Sequence, residues 1–182
     1  MICATLGPEA NNHVLILRRY LKARGPVDAE VRLFDDFPAA FAALAAGEVD
    51  RVLQCTAHFS HADCVGRYMH RVFPVATFVA GSHPLALLAR RDVTTPSQVA
   101  LQPATRYYTD LSGFAEQIDV PTTAAVAEGL LAGRFEAGIC AQHTVDAHPD
   151  KLRLIEALGP ALDVWVLYGC QPLPEDSPLV LA

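Results

Sequence analysis

Lysine and arginine are scarce and scattered, 14 of them against 20 acidic residues for a formal charge of −6, with a pI near 5.6. Neutralising a phosphate backbone takes clustered cations, so a general nucleic-acid binder is not expected. No apolar run approaches the ~18 residues of a membrane span, and no basic stretch followed by an apolar run and a small-residue cleavage site opens the chain. A cytoplasmic protein without membrane contact is expected. The cysteines are odd in number, at 3, 55, 64, 140 and 170, which makes no disulfide framework and fits reduced thiols. Repeats and low-complexity tracts are absent too. Apolar residues are plentiful: 52% of 182, enough for a well-buried core in one compact unit or two lobes.

Apolar runs and breakers alternate along the chain. Met1–Leu6 reads as a strand stopped by Gly7-Pro8-Glu9, and Val14, Leu15, Leu17, Tyr20 and Leu21 recur near helical spacing up to Gly25. Glu30–Phe34 reads as a strand, Phe37–Ala46 as a helix ending at Gly47, and Val49–Cys55 as another strand, giving βαβαβ. Two more strands, Pro74–Ala80 and Leu85–Ala89, flank Gly81-Ser82-His83-Pro84, and a short unit opens at Pro96. Arg106–Ile118 is expected to form a helix; Pro121-Thr122-Thr123 caps a helix over Ala124–Leu131 that Gly133 ends, before a strand Ala137–Ala141. Trp165–Cys170 is a last strand ahead of the irregular tail Pro172–Pro178. Two groups of alternating elements predict an α/β fold of two lobes with an intervening cleft. Ligands of such sheets sit outside the carboxyl ends of strands, where helix N-termini collect anions.

One stretch, LQCTAHFSHADC, places Cys55, His58, His61 and Cys64 at a three-residue spacing. On a straight helix each such step falls about 60° short of a full turn, so four ligands fan across half the circumference and do not converge on one ion. His58 and His61 could join distant residues at a metal, but zinc sites usually pair two knuckles through a longer spacer. The favoured reading is a turn after the third strand, with Cys55 in the core, one histidine at the cleft and no metal.

Three strand-to-helix turns carry a family resemblance. Thr5-Leu6-Gly7-Pro8-Glu9 resembles the Gly-Pro-x-Gly-Thr-Phe-Ser turn that opens prephenate dehydratases. Pro121–Ala127 is similar to their Ser-Thr-Ala-x-Ala-Ala motif, followed by Glu136–Ala141 in place of their Ala-Ala-Ile-Ala strand. A weaker match sets Gln102-Pro103 where the family has Ser-His-Pro-Gln. The resemblance implies a fold like type II periplasmic binding proteins. The first lobe would take residues 1–75, completed by 163–182, and the second 76–162. Full-length dehydratases commonly carry a regulatory domain; none is expected here, nor feedback control by phenylalanine through one.

The departures point to a branch. Ala10-Asn11-Asn12-His13 replaces Gly-Thr-Phe-Ser, the Glu-Asn-Ser segment is replaced within Thr56–Ser60, and the last strand reads Asp163–Gly169 where dehydratases have the catalytic Thr-Arg-Phe. Prephenate decarboxylases of bacterial secondary metabolism, of the bacilysin-synthesis kind, also lack that motif. They resemble this chain in their Thr-Leu-Gly-Pro-Glu start, in a histidine placed as His58 is, and in a Trp-x-Leu-aromatic-Gly strand like Trp165–Gly169.

The expected activity is thus a lyase on prephenate or a related shikimate-derived cyclic acid, decarboxylating without aromatisation. His58, His61 and Glu9 are the candidate proton donors, histidine being suited by its near-neutral pKa. Gly7, Asn11, Ser60, Gln102, Arg106, Thr122, Thr123 and Trp165 are the candidate substrate contacts, with uncharged donors at helix starts receiving carboxylates. The bland readings are that Thr122 or Thr123 only caps a helix, that the histidines are solvated, and that Trp165 and the cysteines are core. No cofactor is expected, and the resemblance implies a homodimer. The alternative is a non-catalytic cytoplasmic protein that binds or senses a small aromatic or cyclic carboxylic acid. A transcriptional effector domain or exported solute receptor is disfavoured by the lack of a helix-turn-helix and of an export signal.

Overall fold

Ile2–Leu6 forms strand β1, buried from Cys3 onward. Helix α1 (Asn12–Arg24) starts behind Asn11, whose side chain accepts from the His13 amide and so satisfies one of the N–H groups that a helix start leaves open. β2 (Glu30–Phe34) leads to α2 (Phe37–Ala46), which is capped by Asp36 and closed by Gly47 at φ 77°, a left-handed position that side chains resist. Then come β3 (Arg51–Cys55), the short helix α3 (His61–Arg67), β4 (Phe73–Gly81), β5 (Leu85–Arg90) and β6 (Gln98–Leu101). β7 (Glu116–Asp119), α4 (Thr123–Leu131), β8 (Ala137–Ala141), α5 (His143–Ala147), β9 (Leu152–Gly159) and β10 (Leu162–Gly169) complete the computed structural model, which describes residues 1–180.

The elements form two units, Met1–Gly81 with the chain from Leu162 on, and Ser82–Ala161. In the first, β1 pairs in parallel with β2 and β3, and β10 and β4 extend the sheet antiparallel in the order β2-β1-β3-β10-β4. Its two faces are covered differently. Phe37, Phe41 and Leu44 of α2 pack with Val52, Val166 and Tyr168, while Ile16 and Leu17 of α1 pack with Cys3, Leu53 and Trp165. Alternation along β10 sends Trp165 and Leu167 to one face and Val166 and Tyr168 to the other.

The second unit repeats the plan in the order β7-β6-β8-β5-β9, three parallel strands followed by two antiparallel ones. α4 covers one face through Val126 and Leu130. On the other face Leu87, Val99, Leu101 and Ile139 pack with Leu111.

The helix expected over Arg106–Ile118 does not form. Pro103–Thr105 makes one 3-10 turn capped by Gln102, Asp110 accepts from Ser112 N in a local turn, and Glu116–Asp119 pairs in parallel with Gln98–Leu101. The segment has too few apolar residues at helical spacing to bury a face, so edge pairing with β6 wins. β9 was not foreseen because its burial does not alternate; it pairs with β5 through two register shifts. The last strand begins at Leu162 and ends at Gly169, with Cys170 beyond it.

Candidate functional site

Two chain segments meet where β1 and β3 end. The turn after β1 leads into α1 and the turn after β3 into α3, so the residues between them gather at the carboxyl edge of parallel strands, where α/β sheets bind ligands. Cys55 ends β3 and only His61 and Cys64 lie on a helix, so the evenly spaced Cys and His residues share no single helical face. Among the described residues no group of three His, Cys, Asp or Glu is arranged to hold a metal ion.

Asn11 and His13 form one hydrogen-bonded chain with the strand ends. Asn11 Nδ2 donates to Gly7 O at 2.9 Å, which turns Oδ1 toward His13; Oδ1 accepts from His13 N at 3.1 Å and lies 3.3 Å from His13 Nδ1. On the far side of the ring, Cys55 N donates to Nε2 at 3.5 Å. A backbone amide only donates, so Nε2 accepts and the proton sits on Nδ1. Both nitrogens of His13 are therefore occupied. Its burial, and then the proximity of His58, pull its pKa down to about 3.

His58 sits in the turn against aromatic rings. Its centroid lies 4.8 Å from Phe37, 4.4 Å from Phe59 and 5.7 Å from His13. His13 in turn stands 5.0 Å from both Phe37 and Trp165. His58 Nδ1 lies 2.8 Å from Ser60 Oγ and receives Ser60 N–H at 3.3 Å, and Gln54 Nε2 donates to the same Oγ at 3.3 Å. Among the described residues no hydrogen bond is made to His58 Nε2. Burial, with a smaller contribution from His61, lowers its pKa to about 4.

The other candidates of this unit divide around that cluster. His61 is turned to β10, its Nε2 lying 2.8 Å from Tyr168 Oη, and burial lowers its pKa. Burial also pushes the Tyr168 phenol up to about 12. Glu9 is exposed and ion-paired with Arg18 at 2.7 Å. Trp165 is 1% exposed and donates from Nε1 to Ala80 O at 3.2 Å. Ser60 belongs to the His58 chain, and Gly7 anchors Asn11.

In the second unit the candidates also follow strand ends. Gln102 follows the last residue of β6 and caps the 3-10 turn, accepting from Ala104 N at 2.8 Å. Thr122 is the cap of α4, its Oγ1 accepting from Ala125 N at 3.0 Å, and Thr123 is the first helical residue. Arg106 stands at no helix start; its guanidinium binds Asp119 and Gln117 of β7. The thiols are not activated: burial raises Cys55 to about 11 and Cys140 to about 12, and half-buried Cys170 donates to Leu44 O.

Three participants were missed by sequence reading. His13 appeared only as a departure from a motif, Gln54 lies inside an apolar strand, and Tyr168 joins His61 from 107 residues away. Position in the first turn of a helix behind an Asn cap is the signal that marks His13; nothing local marks the other two.

No protein-family model matches the sequence, and no curated protein matches it. Solved structures do. A prephenate dehydratase from Arthrobacter aurescens, in complex with L-Phe, is 20% identical at a TM-score of 0.68, over 97% of this chain and 63% of its own. The chain thus spans less than two thirds of that protein's length. The periplasmic VFT2 domain of Bordetella pertussis BvgS is 16% identical at a TM-score of 0.55, over 93% of this chain and 80% of its own. An extracytoplasmic solute receptor of the same organism, binding pyroglutamic acid, is 12% identical at 0.55, over 93% and 70%. The fold is α/β and type II periplasmic-binding-protein-like. No helix among the described residues is long and apolar enough to cross a membrane.

Proposed function

We propose that the protein is a lyase acting on prephenate or a related shikimate-derived cyclic acid, removing carbon dioxide without aromatising the ring, in bacterial secondary metabolism. The observation that carries this reading is the pair of neutral imidazoles, His13 and His58, lined by Phe37 and Phe59 at the ends of β1 and β3. Dehydration must protonate a departing hydroxyl, and imidazoles held neutral well below pH 7 supply that proton poorly. Decarboxylation asks less. The carbon–carbon bond to the carboxylate breaks and carbon dioxide leaves, its electron pair enters the adjoining diene, and one proton adds to the diene carbon at which that pair arrives, while the hydroxyl stays. An aromatic-lined site favours a carboxylate whose charge is being dispersed.

His58 is the proton donor in this reading. A substrate carboxylate beside it raises its pKa from about 4 toward neutrality, since an opposite charge favours the imidazolium. Each unit also offers uncharged donors for carboxylates, at the helix starts behind Asn11 and at Thr122–Thr123. Gln102 contributes a polar strand end, and no cofactor is called for. The resemblance to decarboxylases at Trp165–Gly169 supports the same choice, and a cytoplasmic homodimer is the setting it implies.

The test is incubation with prephenate near pH 8, followed by ultraviolet spectra and mass analysis. A non-aromatic product short of carbon dioxide alone is expected. Phenylpyruvate would replace decarboxylation by dehydration, and unchanged prephenate would sink the lyase reading. The second reading, a binding or sensing protein for a small cyclic acid, is favoured by the number of neutral donors; it expects a saturable thermal shift without product.

A further inference from the structure

Gln54 is fully buried at the end of β3, and among the described residues its Oε1 has no hydrogen-bond partner. An unpaired buried amide oxygen is costly and calls for an explanation. The other end of the amide is engaged: Nε2 donates to Ser60 Oγ, which lies 2.8 Å from His58 Nδ1. Ser60 N–H also points at Nδ1, at 3.3 Å. Because that amide can only donate, Nδ1 accepts, the ring proton is on Nε2, and Ser60 Oγ–H donates to Nδ1. For neutral His58 the chain runs from Gln54 through Ser60 to the ring.

A charged His58 inverts these demands. Nδ1 becomes a donor to Ser60 Oγ, and the serine proton needs another acceptor. A half-turn of the Gln54 amide brings Oε1 to Ser60, exchanging one hydrogen bond for another, and the long 3.3 Å contact from Ser60 N–H to Nδ1 is the one given up. We propose that Gln54 and Ser60 are positioning residues that form a reversible hydrogen-bond chain, holding neutral His58 as its Nε2–H tautomer and running the other way when His58 carries a second proton. The free Nε2–H is thereby aimed at a ligand in both states. The consequence for catalysis rests on the reading of His58 as proton donor; the chain itself does not. The titratable groups that face it are His13 from α1, His61 from α3, and Cys64, whose thiol the Ser60 hydroxyl also reaches.

Long-range 1H–15N correlation spectra of histidine-labelled protein at pH 7.5 read the tautomer of each ring. Wild-type His58 should show an unprotonated Nδ1 and a protonated Nε2. Ser60→Ala keeps the backbone N–H that fixes the tautomer but removes the acceptor of a charged Nδ1–H, so its His58 pKa should fall, and Ser60→Thr, which keeps a hydroxyl, should restore it. Gln54→Met should leave the tautomer intact yet lower the His58 pKa by about one unit, a tenfold loss of the charged form, followed through the ring proton shifts from pH 7 down to pH 3. A wild-type ring protonated on Nδ1, or an unchanged titration in Ser60→Ala or in Gln54→Met, would each overturn the chain. Prephenate turnover measured on the same samples separates the two ideas: a locked tautomer without turnover removes the lyase, and turnover with an unlocked one removes the chain.

Discussion

His13 and His58 stand edge to face, ring centroids 5.7 Å apart at 84°, with their protons on opposite nitrogens. His13 keeps its proton on Nδ1 because Cys55 N–H occupies Nε2; His58 keeps its proton on Nε2 because Ser60 N–H points at Nδ1. His13 cannot gain a proton without turning the Cys55 amide against another donor, whereas His58 can once it gives up the 3.3 Å contact from Ser60 N–H. The pair is therefore a neutral, oriented polar surface within an aromatic wall. Of the two, only His58 has a ring nitrogen without a hydrogen bond among the described residues.

Stability should fall as pH is lowered. The folded pKa of His13 is about 3 against an unfolded 6.5, so the unfolded chain binds more protons between those values and stability rises with pH across that window. Above pH 6.5 nothing further is gained. From pH 7 to pH 5, His13 alone should remove about 2 kcal/mol, and His58, whose pKa is also lowered, acts in the same direction. His13→Gln keeps an acceptor for Cys55 N–H and cannot take up a proton. Urea unfolding at several pH values should show a shallower slope for this variant, even if it is less stable at pH 7.

Gln54→Met should not destabilise the protein. Its amide makes one long hydrogen bond of 3.3 Å and leaves Oε1 unpaired in the core, and replacing a half-satisfied buried amide by an apolar chain of similar shape is neutral or gains about 1 kcal/mol. A loss above about 2 kcal/mol in urea unfolding would show that the amide is better satisfied than this geometry allows.

What the sequence disclosed was local. Strand β1, helices α1 and α2, strands β2 and β3, and the Thr122 cap of α4 follow from apolar period and breakers within a few residues, and all form. Arg106–Ile118 misled because helix propensity without an apolar face has nothing to hold it, whereas Gln117 and Ile118 gain the ladder of Val99 and Ala100. His58 and His61 stood out by spacing, but what separates them did not: one meets His13 from another helix, the other Tyr168 from the last strand. The partners of a side chain are set by sheet order, and no spacing along the chain encodes that β10 lies beside β3.

Thr122→Ala should cost about 1 kcal/mol, because its Oγ1 caps α4 through Ala125 N. For a unit of this size that is a fall of about 2–8 °C in melting temperature. Thr122→Ser should recover most of it. If ligand binding at this helix start uses only backbone amides, binding by Thr122→Ala measured below its melting temperature should weaken little; a loss that Thr122→Ser repairs would make the hydroxyl a direct contact.

Two glycines should respond to alanine in opposite ways. Gly138 lies in β8 under α4, and a Cβ there would meet Val126 Cγ1 at 2.4 Å and Ala100 O at 3.0 Å. The backbone oxygen belongs to β6 and cannot yield, so Gly138→Ala has to push α4 away, at a cost of about 1–3 kcal/mol. Gly66 lies in α3 with nothing within 4 Å of its added Cβ. Alanine there reduces the freedom of the unfolded chain and suits a helix, a gain of about 0.5–1 kcal/mol. Thermal melts of the two variants should move in opposite directions. Because Gly66 lies in the helix that carries His61, whose ring is held by Tyr168, Gly66→Ala should also leave the His61 ring resonances unchanged; a shift there would mean that α3 tilts to accept the methyl group.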